Sequence, residues 1–409
     1  MKQTSRIIST YSADPFGVCS ALFELGGMVI MHDASGCNST YTTHDEPRWY
    51  DMDSMVYISG LTEMEAIMGD DGKLIDDIVE AAEELQPRFI ALAGTPIPAM
   101  TGFDYVAVAE FIEECTGIPS FGFATTGMNT YVNGASMALE GIARRLVKRD
   151  VEKTDNLSVN ILGLTPLDFS LSGADKSFVK CLEEAGFEVI SKWAMGSTLE
   201  ELAEAGRARV NLVVSSTGLA VAKALNEMFG TPYVIGAPFG SVMQEAIIQQ
   251  LRDACSAIAH VEFRGAIQDE EIELCDYMFC MGDAVYEDET CMDILFSEAE
   301  VAIIGEGVLS LSLAQAVERH FSKVTKVLCT TEFDKKYLRE QDCMAPYEED
   351  IIATLEGVKF VIADPLYKPV CPEYAQFIPL PAESFSGRIF RKEIPDLVYG
   401  FEEYFRNYF

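Results

Sequence analysis

Short apolar runs alternate with helical patterns along all 409 residues, and this alternation leaves few folds open. The runs Gly27 to Met31, Phe89 to Gly94, Ser120 to Phe123, Val159 to Gly163, Val210 to Ser215, Tyr233 to Gly236, Val301 to Ile304, Val324 to Leu328 and Phe360 to Ala363 are bounded by turn residues. They are too short for buried helices and read as buried strands. Between them lie helical patterns at Lys73 to Leu85, Tyr105 to Cys115 and Ser172 to Ala185, another opened by the capping box Thr198-Leu199-Glu200-Glu201, and one running from Gly307 to His320. One device recurs: Gly117-Ile118-Pro119-Ser120 and Gly230-Thr231-Pro232-Tyr233 each end a helix on Gly, place a Pro, then start a strand. A chain built this way is predicted to be α/β, with three doubly wound (Rossmann-like) parallel-sheet units in series. The polar stretch Lys148 to Asn156 marks the first boundary, giving expected domains at 1–155, 156–268 and 269–409, the last with a closing helix.

Lys and Arg number 30 against 65 Asp and Glu, a formal net charge of -35. So acidic a surface repels phosphate backbones and anionic lipid, which argues against nucleic-acid and membrane partners. No apolar stretch approaches spanning length, and Met1 to Ile8 lacks the apolar region of a signal peptide, so a cytoplasmic location is expected. Eleven cysteines are too scattered for a disulfide scaffold, and four histidines leave little for a His-rich metal site. There is no G-x-x-x-x-G-K-[ST] motif, and Gly305-Glu306-Gly307 does not continue as G-x-G-x-x-G; a tight strand-to-helix turn accounts for it. ATP, if the chemistry needs it, must bind to another protein.

Behind the first apolar run stands His32-Asp33-Ala34-Ser35-Gly36-Cys37. This puts Cys37 at a strand's C-terminal end, where open α/β sheets bind ligands, with Gly36 clearing space for a bulky group such as an iron-sulfur cluster. A lone cysteine there is otherwise a small buried thiol. Cys275, Cys280 and Cys291 are spaced too widely for a thiolate cluster and flank an apolar run; core packing is the expectation and a second metal site the alternative. His44 to Asp51 gathers acid, base and aromatic side chains in one loop. Either it is a solvated loop, or Arg48 and Trp49 shape the site while His44 donates protons and His32 supplies a supporting hydrogen bond. Glu63 and Glu65 read as carboxylates at a helix N-terminus.

Taken together, Asp14-Pro15-Phe16-Gly17-Val18-Cys19, Gly26-Gly27 and His32 to Cys37 resemble the cluster-binding region of the nitrogenase component 1 family. That family includes nitrogenase molybdenum-iron protein subunits, cofactor-assembly scaffolds and the catalytic subunits of dark-operative protochlorophyllide reductase. Ser59 to Gly69, Pro87 to Thr95, Thr101 to Asp104, and Ile378 to Pro381 with Phe385-Ser386-Gly387 resemble later segments of the same family.

The resemblance implies an oxidoreductase that receives electrons through a [4Fe-4S] cluster from a separate ATP-dependent reductase of the nitrogenase iron-protein type, with substrate bound among the three domains. It also implies departures. Where the family's first cysteine is expected this chain has Ala13, leaving Cys19 or Asp14 as second ligand beside Cys37; the third cysteine falls on Pro96. The cluster would then lie between two subunits, in a homodimer or a heterodimer with a related chain. The nitrogenase cofactor's ligands fall on Val214 or Ser215 and near Pro381, so a substrate other than dinitrogen is expected. The alternatives are a non-catalytic assembly scaffold and a small-molecule binding protein without a cluster.

Overall fold

A computed structural model describes residues 12–34, 36, 38, 45–263 and 299–409. Three all-parallel sheets follow one another along the chain. The first contains β1 (Met28–Met31), β2 (Met55–Ile58), β3 (Ile90–Ala93) and β4 (Ser120–Phe123) in the order β2-β1-β3-β4. The second contains β5 (Ser158–Leu162), β6 (Glu188–Lys192), β7 (Val210–Val213) and β8 (Tyr233–Ile235) in the order β6-β5-β7-β8. The third contains β9 (Val301–Gly305), β10 (Thr325–Cys329), β11 (Cys343–Met344), β12 (Phe360–Ala363) and β13 (Gln376–Pro379) in the order β11-β10-β9-β12-β13. The α/β architecture of three Rossmann-like units expected from the apolar runs is the one observed.

Each order reverses once, between β1 and β3, β5 and β7, and β9 and β12. Neighbouring loops diverge at such a switch point, opening a crevice beyond the strands' C-terminal ends. The central strands β1, β3, β5, β7 and β9 are buried along their whole length, as parallel strands covered on both faces must be. One contiguous buried cluster runs from Val18 through Trp193 to Phe405, joining the units.

Helix Asp14–Leu22 crosses helix Tyr131–Leu146 at Gly17 and Gly134, so close that a Cβ on Gly134 would stand 1.9 Å from the Asp14 carbonyl oxygen. The C-terminal helix Leu397–Phe405 lies on helix Gly240–Phe263 of the second unit: Ser241 and Gln244 donate to Glu402 and the Val398 carbonyl. The end of the chain thereby straps the third unit to the second. No described helix is long and apolar enough to cross a membrane.

Candidate functional site

At the first switch point the β1 and β3 ends are stitched together. The His32 amide donates to the Ala93 carbonyl at 3.0 Å, and Thr95 Oγ1 donates to the His32 carbonyl at 2.8 Å. Asp33 organises the turn, accepting from the Ala34 amide at 2.8 Å and from Asn38 Nδ2 at 2.6 Å. A Cβ on Gly36 would meet none of the described residues within 4 Å, so their packing does not demand a glycine. Cys37 and His44 lie outside the described residues, as do Cys275, Cys280 and Cys291.

His32 is buried, paired through Nδ1 with Ser59 Oγ at 2.9 Å and packed on Phe103 with ring centroids 4.4 Å apart. Burial pushes its pKa down to about 4 against a weaker upward pull from Glu65, so the ring is neutral at physiological pH. Its hydrogen bond to Ser59 and its packing on Phe103 anchor the loop, and the ring carries no cationic charge. Glu65, read as a macrodipole carboxylate, completes a capping box with Thr62, whose amide donates to it at 2.8 Å.

The other two ligand candidates face inward. Cys19 is 0% exposed within the main core, and burial together with the Glu46 charge raises its thiol far above the ordinary range. Its side chain is committed to core packing. Asp14 is equally buried, and its oxygens already accept from the amides of Thr126 (3.0 Å) and Gly127 (2.7 Å) and from Asn129 Nδ2 (3.2 Å). Burial nonetheless raises its pKa. Among the described residues no group of three or more His, Cys, Asp or Glu side chains could hold a metal ion. The described residues of one chain therefore do not fit a [4Fe-4S] cluster.

Arg48 belongs to the protein interior. Nε donates to Glu46 at 2.6 Å, Nη1 to Glu24 at 2.8 Å and to the Ala194 carbonyl at 2.9 Å, and Nη2 to the Ser20 carbonyl at 2.7 Å. Its guanidinium carbon lies 4.8 Å from the centre of the Phe23 ring. Burial alone would lower its pKa, but Glu46 and Glu24 hold it above the usual value. With every donor direction used inside, Arg48 clamps the first unit to the second and presents nothing to a ligand.

A second site forms where the other two switch points face each other. A cavity of about 90 Å³ lies between the second and third units, lined mostly by apolar side chains including Phe169, Phe239, Leu309 and Phe385. Its walls carry Asp168, which follows β5, Glu306, which follows β9, and Asp364, which follows β12. Tyr131 reaches over from the first unit and donates to Asp168 Oδ1. Glu306 accepts from the amides of Ser216 (3.0 Å), Val308 (3.1 Å) and Leu309 (2.9 Å), and from the Ser216 hydroxyl. Sequence reasoning missed these acids. The available signal was an acid at or just beyond a strand's C-terminal end: Thr165-Pro166-Leu167-Asp168, Gly305-Glu306 and Ala363-Asp364.

Burial raises Asp168 to about 7, against hydrogen bonds from Tyr131, Ser215 and Thr165 that favour the anion. Burial and the Asp168 charge raise Glu306 to about 8. Burial thus pushes both carboxyl groups toward their protonated forms. The folded chain keeps protons that an unfolded chain releases near the ordinary carboxylate range, so stability is full at low pH and declines as pH rises toward the folded values. Thermal unfolding followed from about pH 5 to about pH 9 should show a falling midpoint, and Asp168→Asn should flatten that fall. An unchanged slope in the variant would place the pH dependence elsewhere.

A family model described as nitrogenase component 1 type oxidoreductase matches residues 13–358. A light-independent protochlorophyllide reductase subunit from Pinus thunbergii is 23% identical over 293 residues, covering 69% of this chain and 56% of that protein. The nitrogenase iron-molybdenum cofactor biosynthesis protein NifE from Rippkaea orientalis is 23% identical over 328 residues, covering 76% and 65%. The chain thus spans little more than half the length of the reductase subunit. Among solved structures, nitrogenase Cp1 at pH 6.5 superposes with a TM-score of 0.67 at 16% identity, covering 100% of this chain and 93% of that one, a likeness of fold.

Proposed function

The chain belongs to the nitrogenase component 1 type oxidoreductase family, and from that premise we propose that it is the substrate-binding component of a two-part reductase. Electrons arrive from a separate ATP-hydrolysing iron-sulfur reductase, and a substrate other than dinitrogen is reduced in the cleft between the second and third units. The observation that carries this reading is the apolar cleft at two facing switch points, walled by Asp168, Glu306 and Asp364. The missing P-loop fits a partner that hydrolyses the ATP. Val214 or Ser215 and Pro381, standing where resemblance expects the nitrogenase cofactor's ligands, argue against holding that cofactor in the nitrogenase manner.

The interface cluster, in this reading, rests on Cys37 with the remaining ligands from a second chain, because Cys19 and Asp14 are committed to the interior. The surface beside the loop suits such pairing. Helices Glu63–Met68 and Pro96–Thr101 touch and expose Met64, Ile67, Met68, Ile97 and Met100, with Met128 exposed on the neighbouring loop. Apolar side chains grouped in this way mark association surfaces.

The test is iron and sulfide quantification with low-temperature EPR on anaerobically purified protein. Cys37→Ala should abolish the iron signal, and Cys19→Ala should retain it. Protein that stays colourless and iron-free after cluster reconstitution would overturn the cluster and favour a simple binding protein. A loaded protein that turns over nothing with reductase and ATP would favour the scaffold.

A further inference from the structure

Glu306 and Asp364 occupy positions that in an open α/β sheet are usually left to the ligand. The amides at the start of a helix that follows a sheet strand form a ready site for anions, because their N–H groups are unpaired and the macrodipole favours negative charge. Here the protein fills that position itself. Glu306 is the N-cap of the 15-residue helix Gly307–Phe321, and its carboxylate takes the amides of Val308 and Leu309. Asp364, after β12, precedes only the short 3-10 turn Pro365–Val370 and ties it to a later segment, accepting from the Leu366 amide at 2.9 Å, the Ala382 amide at 3.0 Å and the Ser386 hydroxyl at 2.8 Å. Asp168 adds a third carboxyl group from the second unit. The described residues lining the cavity include no Lys, Arg or His.

A further observation points to a ligand. Ser384 lines the same cavity, is 1% exposed, and its hydroxyl meets hydrogen-bond geometry with no described residue, although it lies near the Tyr131 phenol. A buried hydroxyl so weakly held by the Tyr131 phenol is available to a polar group of a ligand.

We infer that the cleft takes a largely apolar ligand bearing a cationic nitrogen and rejects anionic ligands. An anion entering would find its helix-terminal amides already taken and three carboxyl groups facing it. A cation meets carboxylates whose charge burial would otherwise disfavour, and its apolar body meets Phe169, Leu309 and Phe385. On binding, the ammonium takes the place of a proton held by Asp168 and Glu306, and that proton passes to solvent. The titratable groups facing the pair are Tyr131 from the first unit, Cys329 at the end of β10 and Asp364 across the cavity.

The inference rests on reading the cleft as the substrate site, and its test is independent of iron. Calorimetry on the full chain compares benzylamine, cationic in neutral water, with phenylacetate, a carboxylate of similar size. Benzylamine should bind about tenfold or more tighter than phenylacetate, with proton release measured from buffers of differing ionisation enthalpy. Asp168→Asn should weaken it about tenfold with thermal unfolding at neutral pH retained. Equal or tighter binding of phenylacetate, unchanged benzylamine affinity in Asp168→Asn, or no binding of either probe overturns the inference. An iron-loaded protein that ignores benzylamine removes this inference alone; an iron-free protein that binds benzylamine removes the cluster and keeps the cleft's selectivity.

Discussion

Arg48→Ala should cost about 3–5 kcal/mol of stability, the penalty for stripping the partner from a buried charge. Glu46 is fully buried and the Glu24 side chain is 9% exposed, so truncation strands two carboxylates in the interior while removing the bonds to Ala194 and Ser20. Arg48→Lys should recover only part of the loss, because an ammonium cannot span Glu46, Glu24 and two carbonyls from one fixed fork. Combining Arg48→Met with Glu46→Leu should recover more, because it removes an unpaired charge along with the cation. Thermal unfolding of the four proteins checks this ordering. If Arg48→Ala instead unfolds like the unaltered chain but loses substrate turnover, the residue acts on the substrate and the clamp assignment fails.

Gly134→Ala carries the other large effect, and its sign separates tertiary from local physics. Alanine in a helix interior ordinarily gains about 0.8–1.0 kcal/mol over glycine. At Gly134 the new methyl would meet Asp14 backbone at 1.9 and 2.7 Å, and helix Asp14–Leu22 would have to retreat. Overpacking against backbone costs about 1–3 kcal/mol or more, enough to reverse the propensity gain. The retreat also draws Asp14 away from the amides of Thr126 and Gly127, loosening the loop after β4. Gly400→Ala, in the C-terminal helix with nothing within 4 Å of its added methyl, is the control and should stabilise. Denaturant midpoints measure both, and a Gly134→Ala protein as stable as the unaltered chain would show that the helices can part freely.

What the sequence could announce followed from burial on two faces. The central strands carry unbroken apolar runs, so Met28–Met31, Ile90–Ala93, Val210–Val213 and Val301–Gly305 were readable as strands from composition and flanking turns. The edge strands β2, β6 and β13 do not read as strands, for the complementary reason. Covered on one side only, they keep polar or half-exposed residues such as Tyr57, Glu188 and Gln376, which blur the pattern. The family resemblance was legible for a related reason, since glycines and turn residues at fixed strand ends are local features.

The functional side chains were less legible because charge in a sequence carries no address. Arg48 in a polar loop reads equally well as a site residue or as a solvated one, and only its three-dimensional neighbours Glu24, Ser20 and Ala194 assign it to the interior. Cys19 lies close to Cys37 in sequence, but helix Asp14–Leu22 turns its sulfur into the core. Asp168, Glu306 and Asp364 are 138 and 58 residues apart along the chain, counted from 168 to 306 and from 306 to 364. The sequence by itself determined three parallel α/β units and their family, because strand burial and turn chemistry are encoded locally. The tertiary structure alone decided which acids line a common cleft, because that depends on how switch points of separate sheets face one another.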